Sequence, residues 1–423
     1  MKPRMRRAAT AVSERGCGIC VRSCFSVVFC LVLWLAVAGR AADEPAVLTP
    51  DNPSAFRSLS RFAELIGALQ KNYLEPARIG SSERTTVALR AFVRSLDPEA
   101  DLFAPDETAT TNAAANAAAD IGLRFAMRND YPAVIAARDD SPAQDAGLLA
   151  GEQLIAIDDT ATLHARRIEL EQRLHGPANS SVTLTVLDPA TRAVRDVRLQ
   201  RAAPSASPGV VLKFLNNRLA YCRIPEFTHA AVETLHIAMA RAKEERVSGV
   251  ILDLRNNAGG GFEAMQVAAS LFLPAGVPIV ALDYADPSQG ATFVSDQSDK
   301  FTAPLVLLVN GGTAAEAEMF AAALQDHKRA QLVGSKTFGR GFLTASVTLG
   351  DGSVLSVPNA YYLRPSKQIL QGAGLTPDLV VDLPREAERL LSRLGFSTFN
   401  WKNDKNAVLK TDLPLARALT LFK

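Results

Sequence analysis

Cysteine is almost missing from this chain. Of five cysteines in 423 residues, Cys17, Cys20, Cys24 and Cys30 crowd the N-terminus, and only Cys222 lies beyond them. A single thiol closes no intramolecular bridge, so no disulfide framework is expected. The five histidines are scattered without metal-ligand spacing, and the CGIC pair at 17–20 has no second ligand pair. No metal and no cofactor is therefore expected. An excess of one charge is also lacking. With 46 basic and 44 acidic residues the net charge is +2, which excludes an electrostatic grip on nucleic acid. Long apolar runs are absent too, with one exception. CFSVVFCLVLWLAVAG, residues 24–39, follows the basic start MKPRMRR and leads into GRAADE. That pattern reads as an export signal at 1–41, cut after Ala41. A retained membrane anchor is the competing reading, although 16 residues fall short of the roughly 20 that a spanning helix prefers. The expected location is outside the cytoplasm, in the periplasm or cell envelope, with anchoring by this segment as the variant.

What is present is ordinary globular composition, 48% hydrophobic and 21% charged, in a chain long enough for two or three domains. Phe62, Leu65, Ile66, Leu69 and Tyr73 share one helical face, and Leu89, Phe92, Val93 and Leu96 another. The spacing predicts a helical N-terminal region at 42–118 that buries both faces in a small subdomain. It ends in TATTNAAANAAAD, a low-complexity hinge or linker. From 119 to 202 short strands dominate: IGLRF, AVIAA, QLIAID and VTLTVL, with SPAQDAGL and RIELEQRL as helices. PSASPG, 204–209, marks a boundary. Beyond it, in 209–423, strand and helix alternate: LAYCRI, AVETLHIAMARAKEE, GVILDLR before the turn NNAGGG, PLVLLV, then a helix from about Ala314. SVTLGDGSVLSV reads as a hairpin. The expected class is α/β and α+β, multidomain, with a mixed sheet and helices in the last part.

The stretch VNGGTAAEAEMFAAALQDHKRAQLVGSKTFGRG, 309–341, has the outline of a reactive segment, yet no serine, cysteine or histidine stands at its glycine turn. Taken with SLDP at 95–98, DIGLRF, SPAQDAGLLAGEQLIAID, RIPEF, VILDLRNNAGG, YYLRPS and LQGAGLTPD, the chain resembles the carboxyl-terminal processing (tail-specific) serine peptidases. The resemblance implies a PDZ domain at 119–202. Its loop at Ile121, Gly122 and Leu123 would offer amides to a peptide C-terminus, and Phe125 would line an apolar pocket. The plainer reading of IGLRF is a core strand after a turn. Glu152 replaces the family's usual Asp, a change expected to matter little. The resemblance also implies a peptidase-like core at 209–423 with a C-terminal helix and a serine–lysine dyad.

Carried over position by position, the dyad is gone. Ala315 falls at the nucleophile position, Arg340 at the lysine position and Thr344 at the position of an assisting glutamine. Alanine has no atom able to attack a carbonyl. A guanidinium is neutral in about one molecule in a million or fewer near neutral pH, so it is a poor base. Gly259 or Gly260, with the amide next to position 315, would form an oxyanion hole. Glu316 stands where the family has a small residue. Two readings are open for it: a charge-assisted bond to Arg340 across the former dyad, or a first-turn carboxylate facing water. Thr313, Ser335, Ser346 and Lys336 are the candidates for relocated chemistry, and Asp326 with His327 is read as packing. The expected partners are protein or peptide C-termini, with an active peptidase relative as a second class. The expected function is binding without efficient proteolysis. The alternatives are an active peptidase with a displaced nucleophile and a structural envelope protein.

Overall fold

The computed structural model describes residues 53–75, 79, 82–105, 107, 119–203, 209–215, 218–296, 300–396 and 399–422. The signal segment at 1–41, the low-complexity stretch from 108 to 118 and most of PSASPG lie outside the described residues. The chain divides into two units, Met1–Ile79 and Gly80–Lys423. The described part of the first is helix α1, Pro53–Asn72. The second opens with helix α2, Ser82–Leu96. The expected helices are present, but the expected burial is not. Phe62, Leu65 and Leu69 on α1, Tyr73 just after it, and Leu89, Phe92 and Leu96 on α2 are exposed. Periodicity identifies an apolar face and says nothing of what covers it.

A short strand β1 (Asp101–Phe103) leads to an antiparallel sheet built from β2 (Leu123–Arg128), β3 (Tyr131–Ala137), β4 (Gln153–Ile157), β5 (Thr160–Ala161), β6 (Ser181–Leu187) and β7 (Val194–Gln200). Its order is β2-β3-β4-β6-β7, with β5 on β4, so β2 is an edge strand. Helices α3 (Pro142–Asp145) and α4 (Arg167–Leu174) complete this part. Its core is Val134, Leu154, Leu170, Val182, Leu184 and Val186, each fully buried.

The next elements are β8 (Val211–Phe214), β9 (Leu219–Arg223), α5 (His229–Glu244), β10 (Gly249–Asp253), α6 (Phe262–Ser270), β11 (Pro278–Tyr284), β12 (Ala291–Val294), β13 (Leu305–Val309), α7 (Glu316–Asp326) and β14 (Ala330–Gly334). They are followed by β15 (Phe342–Thr348), β16 (Val354–Leu363), β17 (Leu379–Val380), α8 (Arg385–Leu394), α9 (Trp401–Thr411) and α10 (Leu413–Leu419). Strands order as β17-β14-β13-β10-β9-β8, parallel except for β8. Side chains alternate between two cores. Ala220, Cys222, Val250, Leu252, Leu305 and Leu307 face α5, α6 and α7, whereas Tyr221, Ile251, Val306 and Leu308 pack toward Trp401 and Leu415. Burial on both faces is why these strands read as continuous apolar runs. The hairpin β15–β16 joins β1, β11 and β12 in a third, antiparallel sheet.

The antiparallel β2–β7 sheet is tied to the parallel one by ion pairs. Arg223, 1% exposed at its side chain, grips Asp139 through Nε (2.6 Å) and Nη2 (2.7 Å). Arg389 of α8 reaches the fully buried Glu152 at 2.9 Å, and Arg385 reaches Asp188 at 3.2 Å. Glu152 also receives Leu149 N–H and Arg195. The Asp-to-Glu change judged minor from sequence therefore falls on a docking contact between layers.

Candidate functional site

Adjacent parallel strands β10 and β13 end at the same edge of their sheet, where ligands of such sheets bind. The β10 loop carries Gly259 and Gly260. The β13 loop carries Ala315 at the start of α7. Asn257 fastens the first loop: its Nδ2 donates to Ile224 O (2.9 Å), its Oδ1 accepts Gly259 N–H (2.9 Å), and its carbonyl accepts Ala314 N–H (2.9 Å). Both glycines have positive φ, 110° and 142°. A Cβ on Gly260 would lie 2.3 Å from Phe227 O, and one on Gly259 would lie 2.3 Å from a Glu316 oxygen. Fixed backbone excludes a larger residue at Gly260, whereas at Gly259 the positive φ and the Glu316 side chain disfavour one.

Ala315 has φ 51° and ψ −123°. That is the region of the first central residue of a type II′ turn, which glycine dominates, and a side chain there stores of order 1–3 kcal/mol. Glu318, fully buried, holds the neighbourhood together. Its Oε2 accepts both Ala315 N–H (3.1 Å) and Arg340 N–H (2.9 Å), and its Oε1 accepts Gly339 N–H (2.8 Å) and the Thr337 hydroxyl. One carboxylate oxygen thus bridges the backbones of positions 315 and 340. Burial raises the Glu318 carboxyl above the usual glutamate range, against the pull of these donors.

Ala315, Glu316, Arg340, Thr344, Gly259 and Gly260 all line one cavity of about 520 Å³. Phe125, Arg138 and Arg167 from the β2–β7 sheet and α4 line it too, so that sheet lies over the groove. The cavity wall carries no serine, cysteine, histidine or lysine among the described residues.

Residues 218–381 match Peptidase family S41, and 134–188 match a PDZ domain. The carboxyl-terminal-processing protease of Synechocystis sp. is 31% identical over 325 residues, covering 75% of each chain. This chain belongs to the carboxyl-terminal processing proteases of Peptidase family S41. Carboxyl-terminal-processing peptidase 1 of Arabidopsis thaliana chloroplasts is 33% identical over 243 residues, 56% of this chain and 50% of that protein. Among solved structures, a photosystem II D1 C-terminal processing protease superposes with a TM-score of 0.67 at 26% identity, covering 80% of this chain and 97% of that one.

Within this S41 frame the sequence expectations fare unevenly. Positions 315 and 340 do meet at one cavity. The Glu316–Arg340 bond does not form: no ion pair joins them within 4.0 Å among the described residues, and the Arg340 guanidinium turns instead to Glu99 Oε2 at 3.4 Å and over the Phe342 ring at 5.1 Å. Glu316 is half-buried on the cavity wall and is not left to water alone. Its Oε2 accepts Gly260 N–H at 3.0 Å. Burial raises its carboxyl above the usual range, while its own amide and that of Gly260 favour the charged form. These are the two amides expected to face a substrate oxygen. Gly259 N–H is spent on Asn257, so of the two glycine candidates Gly260 is the one whose amide faces the cavity residue Glu316.

Thr313 is fully buried, donating to Leu254 O (2.8 Å) and accepting from Asn310 N–H (3.1 Å). Ser346 and Lys336 are exposed away from the cavity wall, and Ser335 lines a different cavity. Asp326 pairs with Arg364, and His327 Nε2 contacts Pro278 O (2.7 Å), which is packing. Burial pushes the Cys222 thiol up to about 12.

The PDZ match begins at 134, after the expected peptide loop. Ile121 and Phe125 are buried in the core of the β2–β7 sheet, with Leu123 packed against it. Gly122 has φ 73°, and the place of its missing Cβ is filled by Ser141 at 2.2 Å. Its N–H donates to Asp120 Oδ1 (3.1 Å) and its carbonyl accepts Arg138 N–H (2.7 Å). Sequence reading missed Glu99 and Glu318. An acid three residues after a helix start, Glu318 after Ala315, is the glutamate half of a capping box and was the available signal.

Proposed function

We propose that this chain is an exported, catalytically silent member of its family that holds protein C-termini in the groove between β2 and α4 without cutting them. The observation that carries the reading is the make-up of the cavity wall. Where a hydroxyl and an amine would meet there is a methyl group and a guanidinium. No serine, cysteine, histidine or lysine lines the wall among the described residues. The Glu316 carboxylate adds a third obstacle, because it places a negative charge on the amides that would stabilise a developing oxyanion. The groove itself keeps what peptide binding needs: β2, an edge strand with no strand paired on its outer side, and an apolar ring, Phe125, in the same cavity. Such a protein would act as a scaffold or decoy for processed C-termini, or regulate an active relative by competing for them. Export rests on the N-terminal apolar segment.

Fluorescent peptides ending in apolar residues test the reading. Saturable binding is expected, lost when the C-terminal carboxylate is amidated, with the peptide recovered intact. Binding unaffected by amidation, or recovery of shortened peptide, would overturn it.

A further inference from the structure

Resting on the reading that the β2–α4 groove takes C-termini, we propose that it selects those bearing an acidic side chain about four residues before the end. Glu99 holds the place of that side chain.

β2 runs from Leu123 to Arg128 along the open edge of its sheet. A peptide added antiparallel with its C-terminal residue at Leu123, the start of β2, passes Met127 about four residues upstream, at roughly 3.4 Å per residue. At that level the edge is already occupied. Met127 N–H donates to Glu99 Oε1 at 2.6 Å. Glu99 Oε2 accepts Arg167 Nη1 at 2.9 Å and lies 3.4 Å from Arg340 Nη2. A carboxylate with only 8% of its side chain exposed therefore sits on a strand-edge amide between two guanidiniums. In a bound strand a main-chain carbonyl would take the Met127 amide, and an acidic side chain at that level would take the place of the Glu99 carboxylate between the two guanidiniums.

Charge decides the ligand. Arg167 has a second partner in Glu171 at 2.9 Å, and its guanidinium lies 5.5 Å over the Phe125 ring. Arg340 has no ion pair within 4.0 Å other than Glu99 among the described residues. A peptide that displaced Glu99 with an apolar or basic side chain would leave Arg340 desolvated and unpaired. An acidic side chain replaces the lost partner. The arginine at the former lysine position thus reads ligand charge.

The test uses the full chain and two labelled peptides with the same apolar C-terminal residue, differing only in Glu or Gln four positions before it. Fluorescence polarisation is expected to show the Glu peptide binding at least tenfold tighter. Glu99→Gln, which keeps an acceptor for Met127 but loses the charge, should tighten the Glu peptide several-fold further. Arg340→Gln should shrink the Glu-over-Gln preference. Equal affinities for the two peptides in both the wild type and Glu99→Gln, lost on amidation, would overturn this proposal and leave C-terminus recognition standing. Binding of neither peptide to either protein would remove both readings. Near-ultraviolet circular dichroism confirms that each variant is folded.

Discussion

Restoring the dyad alone should give a poor enzyme, and the structure sets how poor. In Ala315→Ser/Arg340→Lys the hydroxyl and amine return, but the Glu316 carboxylate still lies 3.0 Å from Gly260 N. A substrate oxygen can reach that amide in two ways. It can displace the carboxylate, which forfeits a hydrogen bond to a charged group worth about 1.5–3 kcal/mol. Or it can develop its charge beside a carboxylate that stays near. Two like charges about 4 Å apart repel by about 4 kcal/mol at an effective dielectric of about 20. The cheaper route governs, so the penalty lies between roughly tenfold and about 160-fold in rate. Adding Glu316→Ala removes it. The measurement compares the double and triple variants on a quenched fluorescent peptide with an apolar C-terminus. The triple variant is expected to turn over at least tenfold faster. Rates within about threefold of each other, in folded proteins, would refute the argument that Glu316 blocks the amide pair.

Three further outcomes follow from the geometry. Ala315→Gly relieves a positive-φ side chain and should raise stability by about 1 kcal/mol net of glycine's chain entropy, measured by urea denaturation; an unchanged or lowered midpoint would count against the strained turn. The Glu316 carboxyl is raised by burial, so its contribution to stability is fully present below the unfolded value of about 4.3 and is lost as pH rises through the higher folded value. The wild type should therefore gain on Glu316→Gln as pH falls across that window, and parallel melting curves at all pH values would contradict this. Arg255 is held by Asp412 through two bonds of 2.8 and 2.9 Å, with both side chains almost fully buried. Asp412→Ala should cost about 3–5 kcal/mol by leaving the guanidinium short of a partner, and a loss under 1 kcal/mol would show the network to be solvated.

Much of this architecture is legible in residues because its signals are local. The runs PLVLLV and GVILDLR are apolar on both faces and become the central strands β13 and β10, and the Gly-Asp-Gly turn makes the β15–β16 hairpin. The register from Ala315 to Arg340 is legible because two motifs of fixed spacing flank it. What sequence does not carry is rotamer choice and long-range pairing. Glu316 had two sensible partners and took a third, Gly260, 56 positions away in the chain. Arg340 took Glu99, 241 positions away. Nothing in SLDPEADLF marks Glu99 as a contact of β2, since its neighbours in space, Met127, Arg167 and Arg340, come from three separate segments of the chain. The exposed faces of α1 and α2 fail for a related reason, because periodicity cannot supply the layer that would cover them.

The most direct measurement of the central claim is mass spectrometry of an unfolded protein with an apolar C-terminus, incubated with the full wild-type chain. The account predicts an intact substrate mass after many hours at excess protein, with cleavage only where Ser and Lys are reinstated at 315 and 340. Steady accumulation of fragments by the wild type, abolished by a substitution at Thr344, the exposed hydroxyl on the cavity wall, would contradict it.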